Sequence, residues 1–259
     1  MDLIIIFQIL IFIFGSLVGS YLNVVIYRLP RNESTITPRS KCTKCGKLIK
    51  WYENIPVLSF LFLRAKCANC SEKISFRYPL VEILVGFIAY FLAPDEFTVN
   101  TLTIFALKFS IACSFLAHFL IDIEHQILPD KINIYLFLVI LPFVFLSYPI
   151  EYWLVGGLIG FLGPLGVTVL FYKLRGQVGL GGGDIKLYGL LGLLFGPLGI
   201  MNTIFMSCML GSIVGVTLIA SKRITRNDHF AFGPFILIVA AIQFYFPEFF
   251  DQINFLRLK

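Results

Sequence analysis

The sequence predicts an all-α polytopic membrane protein of about eight transmembrane helices, with a small cytoplasmic zinc-ribbon-like insert after the first helix. Three observations carry this. Hydrophobic residues make up 58% of the chain and charged residues only 14%, and Phe occurs 28 times. The apolar residues gather into runs near the roughly 17–25 that cross a bilayer as a helix. Connections between the runs are short, and an open sheet cannot satisfy its backbone polar groups in lipid, which leaves a helical bundle.

The runs fall at 3–27, 78–93, 100–121, 132–148, 151–172, 184–198, 199–220 and 231–247. The second and sixth are short, and the border between the sixth and seventh is set only by Gly196-Pro197. The first run reads as a retained span. It is too long for a cleaved leader, Asp2 stands where a basic n-region belongs, and no small-residue cleavage site follows. Gly15 and Gly19, with Ser16 and Ser20, give it a small-residue face for helix packing. Gly156, Gly157, Gly160, Gly163 and Gly166 mark the fifth run as another close-packing helix.

Charge sets the expected orientation. Arg28 and Arg31 follow the first span directly, which places the N-terminus outside and the next loop in the cytoplasm. The segments then assigned inside hold eleven Lys and Arg from Arg28 to Arg77, then Lys131, Lys173, Arg175, Lys186, Lys222, Arg223 and Arg226, 18 of the 21 basic residues. The outside segments carry Asp95, Glu96, Glu151, Glu248 and Asp251, with Arg257 and Lys259 as their basic residues. The net charge of +6 is therefore a topology signal. Membrane lipid is the expected surroundings. No nucleic-acid partner is expected, because no basic stripe alternates with exposed aromatics.

Three segments follow: the first helix (1–27), a polar insert (28–78) and a transmembrane remainder (79–259). The insert contains Cys42-Thr-Lys-Cys45 and Cys67-Ala-Asn-Cys70, two knuckles with 21 residues between them. That spacing is close to a zinc ribbon. Cys42, Cys45, Cys67 and Cys70 can close a tetrahedral structural zinc site with no open position. A reducing cytoplasm disfavours disulfides, and a loop of this size needs a metal to stabilise it. Cys113 and Cys208 lie alone in apolar runs and read as small buried hydrophobes.

Two carboxylates stand at the ends of apolar runs. A carboxylate near hydrocarbon is costly and is a functional-site candidate by default. Asp184 follows Gly181, Gly182 and Gly183, and its plain reading is a helix N-cap. The glycines allow a close backbone approach beside it. Asp122 ends the third run, where a carboxylate opposes the helix dipole and cannot be a cap. Asp130 follows Pro129 and is expected to be an N-cap, while Glu124 and His125 read as solvated loop residues. His118, one turn before Asp122, reads as a buried hydrogen-bonded histidine. Lys186 stands within a turn of Asp184, where it either tunes that carboxylate or, more plainly, meets lipid phosphate, and with Gly181, Gly182 and Gly183 it is assigned to substrate or loop support. Paired carboxylates are the working part of an aspartyl protease.

These residues resemble the prepilin peptidases, or type IV leader peptidases, over about residues 15–240. Gly19-Ser-Tyr-Leu-Asn-Val-Val-Ile-Tyr-Arg-Leu-Pro30 is similar to the family's opening motif. The knuckles follow, with Glu53-Asn-Ile-Pro56 between them and Arg77-Tyr-Pro-Leu-Val-Glu82 after them. Ile121-Asp-Ile-Glu-His-Gln-Ile-Leu-Pro-Asp130 and Gly181-Gly-Gly-Asp-Ile-Lys186 resemble the two catalytic segments, and Phe232-Gly-Pro-Phe235 the last-helix motif. Cys42 lacks the Pro that often follows it, and Ala65 stands where the family commonly has Gly.

The resemblance implies a GxGD aspartyl endopeptidase with Asp122 and Asp184 as its catalytic pair. Such enzymes cut the short leader from type IV prepilins and pseudopilins at the cytoplasmic face of the bacterial inner membrane. Many also N-methylate the new terminus with S-adenosylmethionine, for which Asn23, Arg28, Arg77 and Glu82 are weak candidate binding residues. Two other classes compete. A presenilin-like GxGD protease would cut within helices, and an ion-coupled transporter would set its carboxylates near the midplane, usually in repeated halves.

Overall fold

The computed structural model describes residues 2–177, 179–223 and 230–253. Arg226, Arg257 and Lys259 of the charge pattern lie outside them. Nine α-helices occur among the described residues: α1 (Asp2–Arg28), α2 (Leu58–Phe62), α3 (Arg77–Leu92), α4 (Val99–His125), α5 (Asp130–Ser147), α6 (Ile150–Arg175), α7 (Gly182–Ala220), α8 (Gly233–Tyr245) and α9 (Pro247–Ile253). Single 3-10 turns occur at Leu29–Arg31 and Trp51–Asn54. The β pairing described is limited to two isolated bridges, Lys41 with Leu48 and Lys66 with Lys73. The all-α reading holds.

Five helices, α1, α4, α5, α6 and α7, are long and apolar enough to cross a membrane. The expected eight spans are not reached by this measure. With about 1.5 Å of rise per residue, the 13 residues of α8 extend only about 20 Å, short of a bilayer core of about 30 Å. The 16-residue α3 is also short. The sixth and seventh predicted spans correspond to the two helical segments of α7, which meet at the non-helical Gly196 (φ 68°, ψ −172°), near the expected border. Gly196 adopts this left-handed φ without a Cβ penalty, and Pro197 cannot donate a backbone hydrogen bond. The Tyr152 hydroxyl donates to the Phe195 carbonyl at 2.8 Å, satisfying a group at the break.

The chain divides into two compact units, residues 1–113 and 114–259, with the border inside α4. In the first, α1 packs on α3 through its predicted small-residue face. A Cβ at Gly15 would fall 2.6 Å from Ala89 Cβ, and one at Gly86 would fall 2.6 Å from Ser16 Oγ. In the second, Gly156 and Gly192 bring α6 and α7 together backbone to backbone. A Cβ at Gly156 would meet Gly196 Cα at 2.5 Å. Gly157 and Gly160 also face α7, but Gly163 and Gly166 have nothing within 4 Å of an added Cβ. The glycine contact therefore covers only the first half of the predicted stripe.

Candidate active site and cysteine cluster

The second unit gathers three chain segments around Asp122. This residue lies near the C-terminus of α4 and is only 4% exposed. The Gly233 N–H faces its carboxylate. A Cβ at position 233 would fall 2.6 Å from Oδ2, so glycine is needed there for the α8 backbone to approach. Oδ2 makes no hydrogen bond of good geometry within the protein. Leu128, just after α4, is wedged against both neighbouring helix starts. Its side chain would lie 3.0 Å from a Cβ at Gly183 and 3.3 Å from one at Gly233.

Asp184 enters the same place from the first turn of α7. Gly181 is the N-cap of that helix, so Asp184 is not. The Asp184 carboxylate reaches back toward the Gly181 N–H, the geometry of half a capping box. A carboxylate there is also favoured by the helix dipole. It is half-buried and close enough to Asp122 for the two charges to act on each other. The pair expected from the sequence thus comes together. Gly182 has nothing within 4 Å of an added Cβ, so the loop beside Asp184 is open.

Other predicted residues take different places. The expectation of an Asp130 cap is corrected: Pro129 is the N-cap of α5, and Asp130 makes no capping bond. Its carboxylate instead accepts from Lys186 at 2.7 Å, in an exposed ion pair between the starts of α5 and α7. His118 is fully buried on α4 and faces the buried Asn133 of α5, as a core histidine does, but its ring nitrogens make no hydrogen bond of good geometry. Cys113 is buried as expected, whereas Cys208 is exposed in the protein.

In the first unit, the Sγ atoms of Cys42, Cys45, Cys67 and Cys70 all lie within 4.8 Å of one another. Cys42 and Cys70 are 3.8 Å apart, close to the sulfur separation of a tetrahedral site with about 2.3 Å zinc–sulfur bonds. The two knuckles are built alike. The Cys42 N–H donates to the Lys47 carbonyl at 2.9 Å, and the Cys67 N–H donates to the Glu72 carbonyl at 2.8 Å. Each turns through a positive φ after its second cysteine, at Gly46 (71°) and Ser71 (57°). An ion pair between Lys44 and Glu72 ties the knuckles together.

Backbone N–H groups are aimed at the sulfurs. That of Lys47 lowers the Cys45 thiol to about 6, and those of Cys70 and Asn69 lower Cys67. The Glu72 N–H acts the same way on Cys70, but burial and the neighbouring Cys45, Cys67 and Cys42 sulfurs push that thiol up to about 11. Four sulfurs this close cannot all ionise without a cation. The donor set fits a tetrahedral metal ion.

Two family models match the chain. The Bacterial Peptidase A24 N-terminal domain covers residues 13–95, and the Type IV leader peptidase family covers residues 109–216. Relatives extend the match to most of the chain. The prepilin leader peptidase/N-methyltransferase of Pseudomonas putida is 34% identical over 262 residues, 89% of this chain and 87% of the relative. That of Neisseria gonorrhoeae is 32% identical over 268 residues, covering 90% and 88%. That of Bacillus subtilis is 30% identical over 239 residues, covering 92% and 94%.

The chain belongs to the type IV leader peptidase family.

No solved structure matches it. In this type IV leader peptidase family member, the four candidates for methyl-donor binding each make contacts within the protein. The Asn23 amide donates to the Tyr78 carbonyl at 3.1 Å. The Glu82 carboxylate accepts the Val57 N–H at 2.8 Å, holding a β-branched residue at φ 61°. Both therefore tie the insert and the start of α3 into place. Arg77 begins α3, with its guanidinium over the Tyr78 ring at 5.6 Å. Of the four, Arg28 lines the cavity between α1 and the insert. Gly233 is the site residue that sequence reasoning passed over. Its signal was a Gly-Pro step opening an apolar helix, quoted above only as a motif.

Proposed function

We propose that this family member is a membrane aspartyl endopeptidase that removes the short leader of type IV prepilins or pseudopilins, with Asp122 and Asp184 as its catalytic pair. The observation that carries this is the meeting of the Asp122 carboxylate, near the end of α4, with the Asp184 carboxylate in the first turn of α7. We place the reaction at the cytoplasmic face of the bacterial inner membrane, on the basic-residue asymmetry of the sequence. The insert at 28–78 is assigned the metal-bearing part associated with methyl transfer, and 79–259 the peptidase.

Two close carboxylates do not ionise together readily, so the pair shares a proton. The ionised member takes a proton from water as that water's oxygen attacks the scissile carbonyl carbon. The neutral member donates its proton to the carbonyl oxygen. On collapse of the tetrahedral centre the C–N bond breaks and the leaving amine receives a proton. The Gly233 N–H orients Asp122, and the open strip at Gly182 leaves room for an extended substrate backbone beside Asp184. A presenilin-like protease would share the carboxylates but not the cysteine-bearing insert.

The relatives' names support N-methylation of the new terminus as a second activity, with S-adenosylmethionine as methyl source. The amine must be unprotonated to react, and a free α-amino group titrates near about 7.7–8.0. Cys42, Cys45, Cys67 and Cys70 would hold a structural zinc ion, whose binding supplies folding energy to the insert. The test is incubation of the purified protein with a prepilin, with and without S-adenosylmethionine, followed by mass measurement of the product's N-terminus. Loss of the leader mass supports the peptidase, and a further donor-dependent gain of one methyl group supports the transferase. An unchanged substrate mass would refute both.

A further inference from the structure

A cavity of about 660 Å³ lies between the C-terminal half of α1 and the insert. This is within the roughly 300–1,000 Å³ typical of small-molecule sites. At its base is Arg28, only 7% exposed. Its guanidinium donates to the carbonyls of Ser34 and Pro38 at 2.9 Å and of Arg39 at 3.4 Å. Among the described residues no carboxylate pairs with it. A buried cation held only by neutral carbonyls is costly unless an anion joins it.

The rest of the lining has the same bias. Arg39 and Lys50 add two cations, and neither Asp nor Glu is among the lining residues. Glu53 is on the adjacent turn, but its carboxylate is engaged by the Lys50 N–H at 3.0 Å. A sulfonium-bearing methyl donor would meet three cations here and find no carboxylate for its ribose hydroxyls. A phosphate would meet three cations and the hydroxyl of Thr35, while the Ser20 side chain is engaged by the Glu82 carboxylate outside the lining.

The walls say what carries the phosphate. One wall is formed by Leu17 and Tyr21 of α1, 54% and 52% exposed, on a helix long and apolar enough to cross a membrane. The cavity thus continues onto the lipid-facing surface of a span. Trp51, 74% exposed, forms part of the opposite wall and suits the interface between headgroups and acyl chains. We propose that this cavity binds an anionic phospholipid, its headgroup phosphate against Arg28, Arg39 and Lys50 and its acyl chains along Leu17 and Tyr21. The bound lipid neutralises Arg28 and fastens the insert to the bilayer surface.

The test uses the full-length protein, stripped of lipid in a zwitterionic detergent and supplied with phosphatidylglycerol, phosphatidylcholine or inorganic phosphate. Native mass spectrometry counts retained lipid, and melting temperature reports stabilisation. Phosphatidylglycerol should be retained at one molecule per chain in clear preference to phosphatidylcholine. The Arg39→Gln/Lys50→Gln double variant should bind it roughly 30-fold more weakly, about fivefold for each basic residue near an anionic headgroup. The variant's circular dichroism and elution should match wild type. Arg28→Gln should bind more weakly still, but a failure of that variant to fold leaves the double variant as the deciding case. Equal retention of the two lipids, or unchanged retention in the double variant, would overturn the proposal. Equal stabilisation by inorganic phosphate alone would overturn the lipid as the source. Loss of methyl transfer in the double variant with lipid retention unchanged would reassign the cavity to the methyl donor.

Discussion

Gly233 lies against Asp122 so closely that a Cβ at position 233 would fall 2.6 Å from the carboxylate oxygen. The contact joins the start of α8 to the end of α4 and gives the Phe232-Gly-Pro-Phe235 motif a physical reason. A side chain at 233 must displace either Asp122 or the helix. Gly233→Ala should therefore lower leader cleavage roughly 100-fold, the scale expected for about 1 Å of misplacement. The loss should fall on kcat more than on KM, because the substrate path is untouched. Cleavage at the wild-type rate would show that the contact does not position Asp122.

The Lys186–Asp130 pair makes the opposite prediction. Both side chains are at least half exposed, and exposed pairs contribute only about 0–1 kcal/mol. Lys186→Gln and Asp130→Asn should each retain most of the cleavage rate. A double-mutant cycle in thermal unfolding should give a coupling energy below about 1 kcal/mol.

The break in α7 is a stability determinant. Gly196→Ala places a Cβ at φ 68° and into the Tyr152 ring, which should destabilise the protein by more than about 1 kcal/mol. Tyr152→Phe removes the hydroxyl bond to Phe195 and should cost about 1 kcal/mol. Denaturant midpoints in a fixed detergent test both, and a neutral Gly196→Ala would contradict the strained geometry.

Metal binding at the cysteine cluster should be pH-dependent. Zinc binds thiolates, so protons compete with it. Backbone N–H groups hold the Cys45 and Cys67 thiols below their ordinary value while the neighbouring sulfurs push Cys70 above it, so protons compete across the set and affinity falls as pH drops. Elemental analysis should find about one zinc per chain at neutral pH and progressive loss as the pH is lowered. Cys67→Ser should expose residues 30–78 to proteolysis. Full zinc retention in acid, or a metal-free wild type purified without chelator, would refute the site.

Much of this was legible in the sequence because the signals were local. Gly15 and Gly19 announce a packing face by spacing alone, and the α1–α3 contact uses it. The cysteine knuckles carry their geometry in four positions. Asp122 stood out because nothing at a helix C-terminus favours a carboxylate. The missed features are all tertiary. Asp130 and Lys186 are 56 residues apart, and their pairing depends on how α5 and α7 start beside one another. Gly163 and Gly166 continue the small-residue pattern of α6, but no atom of another segment lies within 4 Å of a Cβ added at either. The border expected near Gly196-Pro197, by contrast, does coincide with a break, because two helical segments meet at the non-helical Gly196. The cavity beside Arg28 was invisible because its lining is drawn from both α1 and a loop without regular structure.

The central claim is that Asp122 and Asp184 together cleave the leader. The most direct measurement is the N-terminal mass of a prepilin incubated with wild type, Asp122→Asn and Asp184→Asn, each reconstituted at equal amount and shown to be folded by its melting temperature. Wild type should remove the leader, and either variant should leave the substrate intact. Leader removal at a wild-type rate by either variant would contradict it.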